Sequence, residues 1–252
     1  MADIVYTFEG SVYLNITNSC PCKCKFCIRN NSDSVGDADT LWFSGHNPSF
    51  DEIKKAIDEY DFTGYNGEVI FCGYGEPTFA YDNLIKTCKY IHEKLGLKVR
   101  LNTNGLSDLL NKKPTAKELC ENTDKISISL NEYSSEKYCE LCAPAFGEKS
   151  FDAIIKFAKE CKQYGQNLRF SVVDVIPQED IEKCRELADS LGIRREQVMA
   201  CGDGYNDITM ISEAGIGVAM ENAQEPAKNA ADFVTLSNDD NGVAAAIKKF
   251  AL

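Results

Sequence analysis

Residues 12–17, Val-Tyr-Leu-Asn-Ile-Thr, lead directly into four cysteines packed within eight positions: Cys20, Cys22, Cys24 and Cys27. The alternation of apolar and polar residues predicts a strand. The cysteines therefore fall on the loop leaving its C-terminal end, where α/β proteins place their chemistry. Cys20, Cys24 and Cys27 stand in a C-x3-C-x2-C pattern, with Phe26 just before the last. Cysteines this close cannot pair with one another without strain, and the opening Met-Ala-Asp-Ile-Val-Tyr lacks the basic-then-apolar signal of an exported chain. A disulfide framework is thus the poorer reading. A structural zinc site would ask for two separated pairs. The pattern favours an iron–sulfur cluster, with Cys22 competing as a ligand and Pro21 arguing that it points away.

The 252 residues are 44% hydrophobic and 26% charged, enough for a sizeable core in one large α/β domain or two small ones. The net charge of −12 argues against general nucleic-acid binding through the phosphate backbone. No apolar run is long enough to span a membrane. Twelve cysteines without an export signal read as reduced thiols and metal ligands, so a cytoplasmic location is expected.

Beyond the cysteines, residues 29–49 form a polar loop. Ser49 or Asp51 caps a helix carrying Ile53, Ala56, Ile57 and Tyr60. A short apolar strand, 68–72, ends in Gly73-Tyr74-Gly75-Glu76-Pro77. Helix 81–95 has Leu84, Ile85, Cys88 and Ile91 on one face. Strand 98–102 runs into Thr103-Asn104-Gly105, a turn signal. After a short helix, 117–122, strand 124–131 alternates Ile, Ile and Leu with polar residues, which puts Ser129 and Asn131 on one side. Cys139 and Cys142 form a C-x2-C pair with no obvious further ligands, and incidental thiols are the better reading. Helix 150–164, strand 168–176 and an amphipathic helix over 178–191 follow.

The ordered set of motifs over residues 1–191 resembles the radical SAM (S-adenosylmethionine) family, most closely the TatD-associated group. A [4Fe–4S] cluster bound wholly by protein uses four thiolates. The resemblance implies three, Cys20, Cys24 and Cys27, and a fourth iron position taken by S-adenosylmethionine. It also implies that Phe26 packs near the adenine, that Gly73, Gly75 and Glu76 hold the methionine end, and that Asn104, Ser129 and Asn131 meet the ribose and carboxylate. The implied fold is a parallel βα barrel, partial or closed. The implied reaction is reductive cleavage of S-adenosylmethionine to a 5′-deoxyadenosyl radical, fed by an electron donor such as flavodoxin or ferredoxin. The substrate, a small molecule or a peptide, is not implied.

From Gly192 the character changes. A strand, 198–201, runs into Gly202-Asp203-Gly204-Tyr205-Asn206-Asp207. This resembles the last acidic motif of Cof-type haloacid dehalogenase-like phosphatases, in which aspartates at the positions of Asp203 and Asp207 hold Mg²⁺. Strand 217–220, helix 225–231, strand 233–236 and helix 242–250 fit the same family as Rossmann-like βα units. The family's nucleophilic aspartate should end a buried strand. The only D-x-D-x-T match, Asp37-Ala38-Asp39-Thr40, follows a polar stretch and reads as surface loop. Lys183, in the helix opened by Asp180, fits the family lysine loosely. The expectation is a half-domain joined to a radical SAM core, with residues 197–201 pairing beside strand 168–176 to continue one sheet. Three functional readings follow: a radical SAM enzyme first, then a catalytically inert chimera binding cluster or metal, then an Mg²⁺-dependent phosphatase.

Overall fold

The computed structural model describes residues 2–173, 175–193, 199–237, 240 and 242–250. They divide into two compact units, Met1–Leu191 and Gly192–Leu252.

The larger unit is built on a six-stranded sheet in sequential order: β1 (Val5–Phe8), β2 (Ser11–Leu14), β3 (Val69–Phe71), β4 (Val99–Thr103), β5 (Lys125–Ser129) and β6 (Asn167–Ser171). β1 and β2 form an antiparallel hairpin. Its two-residue turn, Glu9-Gly10, has positive φ at both positions, the geometry that matches strand twist in tight hairpins. The four remaining ladders are parallel. Leu14, Phe71, Leu101, Ile126 and Leu168 stand in register across five strands and are all buried.

The helices supply the matching apolar faces. In α1 (Phe50–Glu59) these residues are Ile53 and Ile57, behind a Ser49–Glu52 capping box. α2 (Tyr81–Leu95) buries Leu84, Ile85, Cys88 and Ile91, and Gly96 ends it in the left-handed conformation that costs glycine little. Two short helices, α3 (Ser107–Asn111) and α4 (Ala116–Asn122), lie between β4 and β5. α5 (Ser135–Cys142) follows β5, and α6 (Lys149–Gln163) buries Ile154, Phe157, Ala158 and Cys161. α7 (Gln178–Ser190) completes the unit.

The smaller unit has its own three-stranded parallel sheet, β7 (Met199–Gly202), β8 (Ile216–Ala219) and β9 (Phe233–Val234). α8 (Ile208–Glu213) and α9 (Glu225–Ala230) make the crossovers, and α10 (Gly242–Phe250) follows. Ile211, Ala219, Met220, Ala223 and Ala227 form its buried cluster.

Of the partial and closed forms expected, the described ladders give the open one, since β1 and β6 are the sheet's two ends. The expected continuation into one sheet is corrected: among the described residues the second unit does not extend that sheet. β7 pairs with β8 in four successive parallel pairs, Met199↔Ile216 to Gly202↔Ala219. Each of these strands brings its own helical crossover, so its ladder partner lies next in sequence. Gln197, Val198 and Asp174 lie outside the described residues. No helix among the described residues is long and apolar enough to cross a membrane.

Candidate functional site

The cysteine segment does leave β2, but among the described residues its side chains form no group arranged to hold a metal ion. Cys22 turns inward and is buried, its backbone bridging to Pro144. Asn104 Nδ2 donates to its sulfur at 3.8 Å, and the Tyr138 hydroxyl is also 3.8 Å away. Cys22 hydrogen-bonds to both Cys20 and Cys24, which with burial pushes its thiol far up. Cys20 is correspondingly held down by Cys22. Cys24 is held down first by a hydrogen bond from Cys142, which itself is pushed up. Two backbone bonds, Lys23 N to Cys142 O and Lys25 N to Leu141 O, each 3.0 Å, bracket that pair. Cys27 Sγ accepts from Arg29 Nε at 3.3 Å. Arg29 also donates to the Asn18 and Tyr74 carbonyls, at 3.1 and 2.8 Å. Phe26 and Cys139 are half-buried.

Glu76, expected to meet a cationic ligand, is hydrogen-bonded from within the chain. It is buried. Its Oε1 accepts from Thr78 N, Thr78 Oγ1 and Thr103 Oγ1 at 3.1, 2.7 and 2.7 Å, and its Oε2 from Asn104 N at 2.7 Å. Burial raises its pKa, with those hydrogen bonds pulling the other way. The carboxylate thus ties the exit of β3 to the exit of β4. The glycines before it serve close packing. A Cβ on Gly73 would lie 2.4 Å from Asn15 Oδ1, and one on Gly75 would lie 2.2 Å from Thr17 O. Asn104 Oδ1 caps the turn at Leu106 N, 3.0 Å. Asn131 takes positive φ and donates to Cys142 Sγ at 3.8 Å. Ser129 sits opposite Ser171 on the edge of the sheet.

The second cluster is compact. On leaving β7 the chain turns sharply, and Asp207 Oδ2 accepts from the amides of Asp203 and Gly204 at 2.8 and 2.9 Å. A Cβ on Gly202 would lie 2.3 Å from Asp207 Cβ, so only glycine lets the carboxylate fold back here. Asp203 O accepts from Gln224 N at 2.9 Å, which fixes the loop to the segment after β8. Two acidic residues thus share one tight turn at the exit of a parallel strand, the Asp207 carboxylate folded back onto the Asp203 amide, and both keep partial exposure. Hard oxygen donors at such a place fit Mg²⁺, which takes one or two carboxylates and keeps waters for the rest. Among the described residues no group of three or more His, Cys, Asp or Glu is arranged to hold a metal ion, so these two would act with water or a ligand.

The other phosphatase-like residues are elsewhere. Asp37 Oδ1 accepts from Thr7 N at 2.5 Å, and Asp39 N donates to Asp3 Oδ2 at 2.7 Å. Both lie in a loop beside the edge strand β1, not at the exit of a parallel strand. Asp180 is buried and ion-paired with Lys137, and with Lys183 at 3.8 Å.

A family model of haloacid dehalogenase-like hydrolases matches residues 49–247. The 5-amino-6-(5-phospho-D-ribitylamino)uracil phosphatase YcsE of Bacillus subtilis (strain 168) is 51% identical over 67 residues, 27% of this chain and 27% of that protein. The putative phosphatase YxeH of the same organism is 52% identical over 68 residues, 27% of this chain and 25% of that protein. The chain thus spans about a quarter of the length of these relatives. The solved structure of TM0651 from Thermotoga maritima is 41% identical over 27% of this chain and 26% of its own, with a TM-score of 0.25. A structure of native anSMEcpe with bound AdoMet covers 71% of this chain and 47% of its own, at 20% identity and a TM-score of 0.48, too distant to carry an assignment.

These findings overturn the reading as a radical SAM enzyme with an iron–sulfur cluster and S-adenosylmethionine. The matching family is one of hydrolases, and the described residues gather no metal-holding set of three thiols. The physical reason is the placement of Cys22 between Cys20 and Cys24, with Cys27 turned to Arg29. With a model spanning well over half its sequence, the chain belongs to the haloacid dehalogenase-like hydrolase family.

Proposed function

We propose that the chain acts as an Mg²⁺-dependent phosphatase of this family on phosphate monoesters, and that its cation site is the loop of Asp203 and Asp207. The observation that carries this reading is the G-D-G-x-N-D turn at the exit of β7, folded so that Asp207 is pinned by the Asp203 and Gly204 amides. The relatives support the substrate class, since YcsE and YxeH are both phosphatases by name.

Mg²⁺ bound there would neutralise charge on a phosphoryl group, which is most of what catalysis of such transfers requires. Asp203 and Asp207 would supply its carboxylate oxygens. Gly202 gives the backbone room to close the turn, and the Gln224 amide holds the Asp203 carbonyl in place. The family's nucleophilic aspartate has no counterpart at the described exits of the parallel strands β2 to β5, which present Asn15, Cys72, Asn104 and Leu130. The cation loop is therefore the part of the chemistry that this chain's own residues define.

The test is release of inorganic phosphate from a panel of sugar phosphates, with and without Mg²⁺. Release that needs Mg²⁺ and is abolished by Asp203→Ala is expected. Release indifferent to Mg²⁺, or to that substitution, would remove the reading.

A further inference from the structure

The face of the larger sheet opposite its buried apolar row is polar and carries an excess of positive charge. Tyr13, Ile70, Arg100, Lys125 and Asn167 stand in register across five strands. Two positions further along, Asn102, Ser127 and Arg169 form a second row. Arg100, Lys125 and Arg169 therefore share one face. Glu68 is their carboxylate partner. It lies 3.6 Å from Arg100 Nη1 and 3.0 Å from Lys125 Nζ, with all three side chains largely buried. Arg169 has no carboxylate partner among the described residues, and its Nε donates to Ser127 Oγ at 3.1 Å.

Three cations against one carboxylate is costly in a half-buried setting. The strain registers on Arg169, whose hold on its proton is weakened by burial and by neighbouring Arg100, with Glu68 and Tyr13 opposing. Two polar atoms on the same face are buried without a partner, the donor Arg100 Nε and the acceptor Asn102 Oδ1. Native interiors leave few such atoms, and a missing ligand is one of the standard reasons for them. The donor wants a negative oxygen and the acceptor wants a hydroxyl. One small group offers both: a phosphate-type oxyanion carrying a proton or a sugar hydroxyl. Guanidinium forks suit it because they meet two oxygens at once. Asn167 and Ser171 on the edge strand β6 are exposed, and Arg169 between them is half-buried.

We propose that this face is an oxyanion-binding site, in which Arg100 and Arg169 hold a small phosphate-type anion and Asn102 accepts from its hydroxyl. The site lies wholly in the larger unit and does not depend on the aspartates of the cation loop.

Isothermal titration with inorganic phosphate tests it, at constant ionic strength set with chloride and with EDTA present. Wild type and Asp203→Asn should both bind one phosphate saturably. Arg169→Gln should weaken that binding about tenfold or more, the scale of losing a hydrogen bond to a charged group. If that variant does not fold, Arg169→Lys keeps the charge but loses the fork, and should still fold and bind more weakly. No saturable binding by wild type, or unchanged affinity in the folded arginine variant, would overturn the proposal. Loss of phosphate binding in Asp203→Asn would also overturn it, because the anion would then belong to the cation loop. A chain that binds phosphate here but releases none from esters would sink only the phosphatase reading.

Discussion

Glu76 shows how far a residue's neighbourhood can depart from what its motif suggests. Four hydrogen bonds reach its carboxylate, yet burial still raises its pKa above the ordinary carboxylate value. A raised folded pKa means that the folded state holds the proton more tightly than the unfolded state does. Stability is then greatest at low pH and falls as pH climbs from the unfolded carboxylate value through the folded one. Glu76→Gln should flatten that decline, as read by urea unfolding followed through Trp42 fluorescence over a range of about pH 4–8. An unchanged slope would show that Glu76 is not the group responsible. Gly75→Ala should destabilise the larger unit by about 1–3 kcal/mol or more, since its new methyl would sit on the Thr17 carbonyl in packing that cannot yield. At this scale the sequence was only partly informative. The spacing of Cys20, Cys22, Cys24 and Cys27 marks a strand exit correctly, but spacing counts positions and does not say which way a side chain turns. Cys142, dismissed as incidental, reaches Cys24 from α5, a helix with no strong periodic signal. By contrast, the turn at Asp203 and Asp207 is local in sequence, with Asp207 accepting from the amides of Asp203 and Gly204 within four residues.

Elements follow the local rules wherever the apolar pattern is long. α1, α2, α6 and α7 and strands β2 to β5 lie close to where periodicity put them. α1 also begins where its capping box predicts, with Ser49 Oγ accepting from Glu52 N at 3.3 Å and Glu52 Oε2 accepting from Ser49 N at 2.7 Å. Ser49→Ala should therefore cost about 1 kcal/mol, checked by urea denaturation, and a cost near zero would show the box to be idle. β1 was missed because its four residues are too few for a pattern, although the Glu-Gly turn after it was a usable hairpin signal. β6 ends at Ser171, short of the strand expected to Ile176. The polar face of β4, β5 and β6 could not be read from any one strand. Arg100, Ser127 and Arg169 become neighbours only through the parallel register.

For the molecule as a whole, the change of character at Gly192 coincides with the division into two compact units. Among the described residues the expected ladder between the two sheets is not formed, because a sequence pattern predicts a strand without naming its partner. Two units with separate sheets should unfold in two transitions. The single tryptophan, Trp42, reports only the larger one. Mg²⁺ should raise the calorimetric transition of the smaller unit, by about 2.7 kcal/mol at a hundredfold excess over its dissociation constant, while leaving the Trp42 fluorescence transition in place. A single transition seen alike by heat and fluorescence would contradict that division.

The most direct test of the assignment is calorimetric titration of Mg²⁺ into the full chain and into Asp203→Asn. The account predicts saturable binding by the first and at least a tenfold loss in the second, about what removing one charged oxygen ligand entails. Equal binding by both, or none by the unaltered chain, would contradict the placement of the cation between Asp203 and Asp207, and with it the phosphatase reading.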